Sequence, residues 1–237
     1  MMTLDIYGDA IQGARDYQED CFEICAEAID GPGDCLAVLC DGMGGHSGGA
    51  LASQTATKAF IDCFLQLSGM SPADALQASL NAAHKAVQHE VSNNQAPADM
   101  GTTLVAVYIS GSDVSWLSVG DSHLYHYRKG GLQKLNADHS MASTLDELAD
   151  IGRISKEEAL SDPQRNALRS CLSVDEIALV DIQHRNDLLD SGDKLLLATD
   201  GLDTLSVEET ATIVEKSRRK AAKVVVGRLL SGVESVA

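Results

Sequence analysis

The sequence CLAVLCDGMGGHSGG, residues 35–49, decides the fold of this chain. It begins with six apolar residues, the pattern of a short strand that is buried on both faces. Asp41 ends that run, and five of the next eight residues are glycine. Glycine permits positive φ and lets the main chain approach an ion or a phosphate closely. The stretch therefore predicts a buried strand that carries a carboxylate to a glycine-rich loop.

The same arrangement occurs twice more along the chain. The apolar run 114–119 leads into Gly120-Asp121, and the run 195–199 leads into Asp200-Gly201. A single Asp-Gly pair is more often an ordinary turn. Three of them at the ends of apolar strands favour a shared role, and we expect Asp41, Asp121 and Asp200 to form one acidic cluster at a common edge of a sheet.

Composition limits the function classes. The 237 residues carry a formal net charge of -17, which disfavours nucleic acid and anionic membranes as partners and favours cations or basic protein segments. No apolar run approaches the roughly 18 residues of a membrane span, and the first residues lack the features of a signal peptide. Six cysteines without a Cys-x-x-Cys pair indicate reduced thiols. We expect a cytoplasmic monomer that binds neither nucleic acid nor membrane.

The periodicity predicts the order of the elements. Strands are predicted at 3–10, 21–28, 35–40, 102–109, 114–119, 123–128, 132–135, 177–183 and 194–199, and helices at 47–67, 72–91 and within 207–230. Residues 138–173 are predicted to be helical and polar, and Asp146–Pro163 is too charged to be core. Strands and helices come in separate groups, which indicates an α+β fold. No repeat or linker divides the chain, so we expect a single domain over residues 1–237.

The acidic residues point to a hard divalent cation. Mg²⁺ and Mn²⁺ prefer carboxylate, carbonyl and water oxygens, whereas zinc and copper prefer histidine and cysteine. Asp41, Asp121 and Asp200, with Glu19 and Asp20, supply such oxygens. Neighbouring side chains on an extended chain point to opposite sides. One of Glu19 and Asp20 should therefore bind directly or through water, and the other should support it or lie on the opposite face.

Other chemistries find less support in the residues. Arg15 offers a planar fork for two phosphate oxygens, although an ion pair with Asp16 or Glu19 would explain it equally well by itself. The glycine-rich loop has no following Lys-Ser or Lys-Thr, and Ser47 interrupts a dinucleotide-binding pattern. No serine or cysteine lies in a nucleophile elbow, so a covalent hydrolase is not indicated.

An ordered set of motifs resembles the metal-dependent Ser/Thr protein phosphatases, the PPM family of type 2C, and within it the compact bacterial branch. The motifs are Arg15-x-x-x-Glu19-Asp20, Asp41-Gly42-Met43-Gly44-Gly45-His46, Gly101-Thr102-Thr103, Gly120-Asp121-Ser122, Asp138-His139-Ser140 and Asp200-Gly201-Leu202. Any one of them alone would be weak, but together they cover positions 15 to 202 in the family's order.

The resemblance implies an αββα sandwich of two antiparallel sheets between helical layers, with two Mg²⁺ or Mn²⁺ ions, and in bacterial members a third, at one end. In that family the implied roles are these: Asp41 bridges the two ions, the Gly42 carbonyl adds an oxygen, Asp200 binds one ion, Glu19 and Asp20 hold ions or their water, Asp121 serves the third ion, and Arg15 holds the substrate phosphate. Residues 146–163 match a flap beside the site.

The implied function is hydrolysis of phosphoserine and phosphothreonine in proteins. In this reaction a metal-activated water attacks phosphorus in line with the leaving oxygen. The expected substrates are phosphoproteins made by a cytoplasmic Ser/Thr kinase. Two alternatives stay open: a catalytically weak phosphoprotein-binding module of the same fold, and a hydrolase of small phosphoesters.

The sequence departs from the family pattern in four places, one of which is that the family often has an acid one residue beyond the Asp203 position. Met43 stands where animal members carry a histidine proposed as general acid, so no residue is assigned that role. Gln18 stands where asparagine is usual. The family also closes with an Asp-Asn pair that opens a final strand and binds metal, and residues 231–237 contain neither residue. If Ala237 is the natural end, we expect weakened metal binding.

Overall fold

The computed structural model describes residues 4–13, 15, 17–26, 34–45, 47–93 and 97–236. Its strands are β1 (Cys21–Ala26), β2 (Cys35–Cys40), β3 (Gly42–Met43), β4 (Gly101–Thr102), β5 (Leu104–Ser110), β6 (Asp113–Val119), β7 (His123–Arg128), β8 (Gly131–Lys134), β9 (Asp181–Arg185) and β10 (Lys194–Ala198). Its helices are α1 (Ser47–Phe64), α2 (Pro72–Ser92), α3 (Met141–Asp150), α4 (Lys156–Ser161), α5 (Val207–Lys216) and α6 (Ala222–Glu234), and Asp200–Thr204 form a 3-10 turn.

The strands of the described residues pair antiparallel in two main sheets. The larger sheet has the order β1-β2-β5-β6-β9, the smaller one has the order β10-β7-β8, and β3 and β4 form a short separate ladder. Helices α1 and α2 pack on the larger sheet, and α5 and α6 pack on the smaller one. This is the αββα sandwich that the resemblance implied, and the α+β prediction is confirmed.

Strand β5 shows why the sequence produces layers. Its side chains alternate between two faces, as they must in an extended chain. Leu104 and Ala106 pack in the cluster that contains α1 and α2, whereas Val105 and Val107 pack against the smaller sheet, where Leu197 joins them. Because both faces are apolar, the strand is buried between a helical layer and a second sheet.

Local signals set the ends of the helices. The Ser71 side chain accepts a hydrogen bond from the backbone N–H of Asp74 at 3.2 Å, and Pro72 is the first residue of α2, as the sequence predicted. Helix α5 begins with a capping box in which Ser206 and Glu209 satisfy each other's backbone N–H groups. These caps fix the helices that cover the two outer faces.

Two strand predictions were wrong. Residues 4–10, the described part of the predicted strand 3–10, are not in a strand; the Asp5 carboxylate instead accepts a hydrogen bond from the backbone N–H of Ala222 at 2.8 Å. Residues 177–180 are also outside the sheets, and β9 begins only at Asp181. A strand forms only where a neighbouring edge offers a ladder, which hydrophobic alternation does not report. Residue 3 of the first of these predictions, and residues 27–28 of the predicted strand 21–28, lie outside the described residues.

The predicted helical segment 138–173 is only partly helical. Helices α3 and α4 occupy 141–161, and the rest is irregular. The Arg165 guanidinium donates two hydrogen bonds to the Asp146 carboxylate, at 2.8 and 2.9 Å, and ties the end of this segment to α3. None of the helices in the described ranges has the length and apolar character that crossing a bilayer requires.

Candidate active site

Three strands bring their terminal aspartates to one end of the sandwich. Strands β2 and β6 both pair antiparallel with β5, so they run in the same direction and end at the same edge, before Asp41 and Asp121. The turn at Asp121 then carries the chain into β7 of the smaller sheet. Strand β10 runs antiparallel to β7, and therefore ends at that same edge, before Asp200. The predicted cluster forms, but at the junction of two sheets rather than at the edge of one.

All seven predicted site residues line one cavity of about 1260 Å³. They are Arg15, Glu19, Asp20, Asp41, Gly42, Asp121 and Asp200. The cavity runs between the two sheets and opens at the edge where the three strands end. A second cavity, of about 340 Å³, adjoins it, because Asp121 and Asp200 line both.

Asp41 is the electrostatic centre of the cluster. Burial and, after it, the charges of Asp20, Asp200 and Asp121 together raise the pKa of its carboxyl to about 8. The Asp41 and Asp20 carboxyls lie close enough to affect each other's ionisation directly. Two neighbouring buried carboxyls disfavour double ionisation unless a cation offsets their charge.

Asp20 and Asp121 respond to the same surroundings. Burial raises the pKa of Asp20, and hydrogen bonds from Thr199 and Asp41 only partly offset that effect. Thr199 Oγ1 donates to Asp20 Oδ2 at 3.2 Å. Burial and, after it, the charge of Asp200 raise the pKa of Asp121 to about 6. Each carboxyl is therefore less readily ionised than it would be in water, because it is buried among other carboxylates.

Glu19 points away from its neighbour, as expected for successive residues of an extended chain. Its Oε1 is buried and has no hydrogen-bond partner among the described residues, and it lies 2.7 Å from where a Cβ on Gly49 would stand. A Cβ on Gly42 would stand 2.1 Å from the carbonyl oxygen of Gly49. Gly42 and Gly49 therefore do more than leave room for an ion. Because they lack side chains, β3, the start of α1 and Glu19 can pack in direct contact.

Arg15 lies at the exposed mouth of the cavity. Its positive charge acts to lower the pKa of Asp20, which places the guanidinium within electrostatic range of the cluster. It forms no ion pair with a carboxylate in the described ranges. The alternative partner Asp16 lies outside the described residues, whereas Glu19 is turned toward Gly49.

Hydroxyl groups hold the aspartate-bearing turns together, and residue-by-residue reasoning did not assign them a role. Thr103 Oγ1 accepts from the backbone N–H of Asp41 at 3.0 Å and lies 2.8 Å from Ser122 Oγ, next to Asp121. Thr102 Oγ1 donates to the carbonyl oxygen of Asp41 at 2.9 Å. The only signal for these contacts in the sequence was the resemblance of Gly101-Thr102-Thr103 and Gly120-Asp121-Ser122 to family motifs.

The donor chemistry of the cluster fits a hard divalent cation. Four carboxyls converge, one buried carboxylate oxygen of Glu19 lacks a partner, and the converging groups are oxygen donors. In the described part of the chain, no three His, Cys, Asp or Glu side chains already stand in an arrangement that would hold one ion. Ion binding would favour the ionised form of these carboxyls, since a metal ligand has to be deprotonated.

Comparison with known proteins identifies the family. Residues 17–225 match the model of the family described as protein phosphatase 2C. The chain belongs to that family. It is 32% identical over 188 residues to the serine/threonine phosphatase stp of Listeria monocytogenes serotype 4b (strain F2365), an alignment that covers 78% of this chain and 73% of the relative. The family match begins two residues after Arg15, so Arg15 rests on the motif alone.

Solved structures agree with this assignment. The crystal structure of the Mycobacterium tuberculosis serine/threonine phosphatase PstP/Ppp is similar with a TM-score of 0.76 and 29% identity, over 94% of this chain and 88% of that one. A structure of the PstP catalytic domain in complex with two manganese ions is similar with a TM-score of 0.71 and 27% identity, over 94% of this chain and 87% of that one. The likeness covers both sheets and both helical layers of this phosphatase 2C chain.

Proposed function

We propose that this phosphatase 2C chain hydrolyses phosphoserine and phosphothreonine in proteins, and that it depends on two Mn²⁺ or Mg²⁺ ions, with room for a third. The observation that carries the proposal is the convergence of Asp20, Asp41, Asp121 and Asp200 in one cavity, where burial and the charges of neighbouring carboxylates raise the pKa values of Asp20, Asp41 and Asp121. The manganese ions of the PstP complex support the choice of metal.

When bound, such ions lower the pKa of water and neutralise charge on the phosphoryl oxygens. Asp41, which feels the charges of Asp20, Asp200 and Asp121, would bind both ions, and the Gly42 carbonyl would add an oxygen. Asp20 and Asp200 would bind one ion each or its water. Asp121, at the turn between the sheets, would serve the third ion, and Glu19, whose carboxylate lies beside Gly49, would support the cluster.

Arg15 completes the proposed site by holding the substrate. A guanidinium presents paired donors that match two phosphate oxygens. From the mouth of the cavity it would orient the phosphoryl group toward Asp41, so that water attacks phosphorus opposite the leaving serine or threonine oxygen. The general acid that protonates this leaving oxygen is not assigned, because Met43 lies at the position where a histidine would serve.

The alternative of a catalytically weak binding module is not favoured. The relatives that match most of this chain are named as phosphatases, and the predicted carboxyls are all in the cavity. We also propose that the substrates are products of a cytoplasmic Ser/Thr kinase, that the protein is a cytoplasmic monomer, and that residues 1–237 act as one domain with a flap at about 146–163.

The proposal is tested by phosphate release from a phosphothreonine peptide as Mn²⁺ is titrated, with wild type, Asp41→Asn and Asp62→Asn. Asp62 is a matched control, since it is an exposed aspartate of α1 that pairs with Lys58. We expect release that requires Mn²⁺, is lost in Asp41→Asn and is unchanged in Asp62→Asn. Release without any divalent cation, or full activity of Asp41→Asn, would contradict the proposal. A nucleotide substrate assayed in parallel separates a small-phosphoester hydrolase.

A further inference from the structure

The turns that carry Asp121 and Asp200 leave from adjacent positions of one strand pair. In the register of β7 and β10, His123 lies directly opposite Ala198. Asp121 lies two residues before His123, and Asp200 lies two residues after Ala198. The ladder ends at this pair of residues, so backbone hydrogen bonds between the strands do not fix the separation of the two turns. A side-chain contact has to set the distance between the two carboxylates.

A side-chain hydrogen bond spans this gap. His123 Nε2 lies 2.9 Å from Asp203 Oδ1. The His123 side chain is 6% exposed, whereas that of Asp203 is 62% exposed. Because an ionised carboxylate can only accept, Nε2 carries the proton and donates it. The bond therefore reaches from a buried ring on one strand to the outer surface of the opposite turn.

The geometry of the turn connects this bond to Asp200. Asp200 and Asp203 are the first and fourth residues of the 3-10 turn. Side chains three residues apart eclipse each other in a 3-10 helix, so they project from the same side of the turn. Leu202 N–H donates to the Thr199 carbonyl at 3.1 Å, which closes the turn. A force that holds Asp203 in place therefore holds Asp200 as well.

The ring of His123 is itself held. It packs on the ring of Tyr125 with a centroid distance of 5.3 Å and an interplanar angle of 44°. Its Nδ1 is buried and has no hydrogen-bond partner in the described residues. A buried imidazole nitrogen without a hydrogen bond lowers the stability of the fold, whereas an apolar side chain at the same position would leave no polar atom unsatisfied. The Nε2 bond to Asp203 is the one polar contact that the described residues offer this ring.

We propose that His123 and Asp203 are positioning residues, which set the separation of Asp121 and Asp200 and thereby the affinity for the cations that these two carboxylates hold. This inference rests on the proposed function, since it concerns the same metal centre. Neither residue touches the substrate or the reacting atoms in this account. They act through the two turns, so their loss should weaken ion binding more than it slows the reaction at saturating ion.

Strand β7 provides an internal control. His126 lies three residues further along the same strand and pairs with Asp193 at 3.0 Å, with side chains 8% and 6% exposed. Like His123, it is a buried histidine that is bound to a carboxylate. It lies opposite Leu195 rather than Ala198, three ladder positions away from the turns with Asp121 and Asp200. Its loss should therefore affect stability but not ion affinity.

The test measures Mn²⁺ binding by isothermal titration calorimetry, beside the urea unfolding of each metal-free variant. His123→Leu and Asp203→Ala remove the hydrogen bond, and we expect either to raise a Mn²⁺ Kd about threefold to tenfold. His123→Gln and Asp203→Asn keep a donor or an acceptor and should restore a Kd near that of wild type. His126→Leu should lower the stability and leave the Kd unchanged. Since Asp203 is exposed, Asp203→Ala should fold even if His123→Leu does not.

Activity at saturating Mn²⁺ gives a second readout. A positioning role predicts that kcat stays near the wild-type value in Asp203→Ala, while the Mn²⁺ concentration for half-activity rises with the Kd. An unchanged Kd in Asp203→Ala, an equal rise in His126→Leu, or no recovery in His123→Gln would overturn the inference while leaving the proposed function intact. A wild-type chain that binds no Mn²⁺ and releases no phosphate would instead overturn the proposed function, and this inference with it.

Discussion

At the scale of single residues, Thr103 joins two of the aspartate-bearing turns. Its hydroxyl accepts from the Asp41 backbone N–H and contacts Ser122, while its own N–H donates to the Asp41 carbonyl at 2.9 Å. Thr103 is 2% exposed, so water cannot replace these bonds. Asp41 is therefore fixed at its backbone before any ion binds, which lowers the entropy that ion binding has to overcome.

Replacing Thr103 with valine removes the two contacts of the hydroxyl at nearly constant volume and keeps the backbone bond to Asp41. We expect Thr103→Val to lower the free energy of unfolding by about 1–3 kcal/mol, because the buried N–H of Asp41 loses its acceptor. Urea unfolding of the metal-free protein measures this change, and Mn²⁺-dependent phosphate release should fall as well. Thr57→Val is the control, since Thr57 is equally buried but has only the Cys40 thiol as a polar neighbour among the described residues. Equal losses in the two variants would contradict the role given to Thr103.

The acidic residues of the site could be predicted from the sequence, but the residues that hold their turns in place could not. Asp41, Asp121 and Asp200 each follow an apolar strand, and that local pattern was sufficient to group them. No local sequence pattern of this kind identifies Thr103 or His123, because a hydroxyl or an imidazole near a glycine has many possible hydrogen-bond partners. Which one it contacts depends on the register of strands that are distant in sequence, so it could be read only from the folded chain.

At the scale of elements, buried strands were predicted well and unpaired segments were not. Strands β2, β6 and β7 match their predicted ranges within a residue, because apolar runs bounded by glycine or acids leave little choice. Residues 4–10 were also predicted to form a strand, but they pair with no other strand in the described structure. The layer order was implied by the family resemblance, since periodicity alone does not state which faces meet.

The pairing of β7 and β10 is reinforced by a buried carboxylate, Asp193. Burial alone would raise its pKa, but hydrogen bonds from Arg128, the backbone N–H of Asp190 and His126 outweigh that effect and lower the pKa to about 2. The folded pKa is thus below the unfolded value of 3.8. The resulting stabilisation, about 2 kcal/mol, is complete above about pH 4 and is lost as the pH falls from about 4 to about 2.

This effect is measured by comparing wild type with Asp193→Asn in urea unfolding between pH 6 and pH 2. We expect the variant to be less stable at pH 6, and the difference between the two proteins to shrink as the pH falls through that window. Other carboxyls titrate in the same range, but they do so in both proteins and cancel in the difference. A difference that stays constant down to pH 2 would show that Asp193 is not the group responsible.

At the scale of the whole molecule, the sandwich places its site where no single layer could form it. Asp41 and Asp121 end strands of the larger sheet, whereas Asp200 ends a strand of the smaller one. The cluster therefore exists only when both sheets are packed together. Ion binding should accordingly stabilise the packing of the two sheets, because it is linked to the folded state.

The net charge of -17 surrounds that site and should select among substrates. A negative field attracts basic segments and repels acidic ones, so a phosphothreonine peptide with flanking lysines should have a higher kcat/KM than one with flanking glutamates. Salt screens charges over about 10 Å at 0.1 M and about 3 Å at 1 M. We therefore expect the preference to shrink as NaCl is raised at fixed, saturating Mn²⁺. A peptide of the same length with flanking serines is the neutral control and should change least. If the preference is independent of salt, contacts at the site rather than the overall charge determine it.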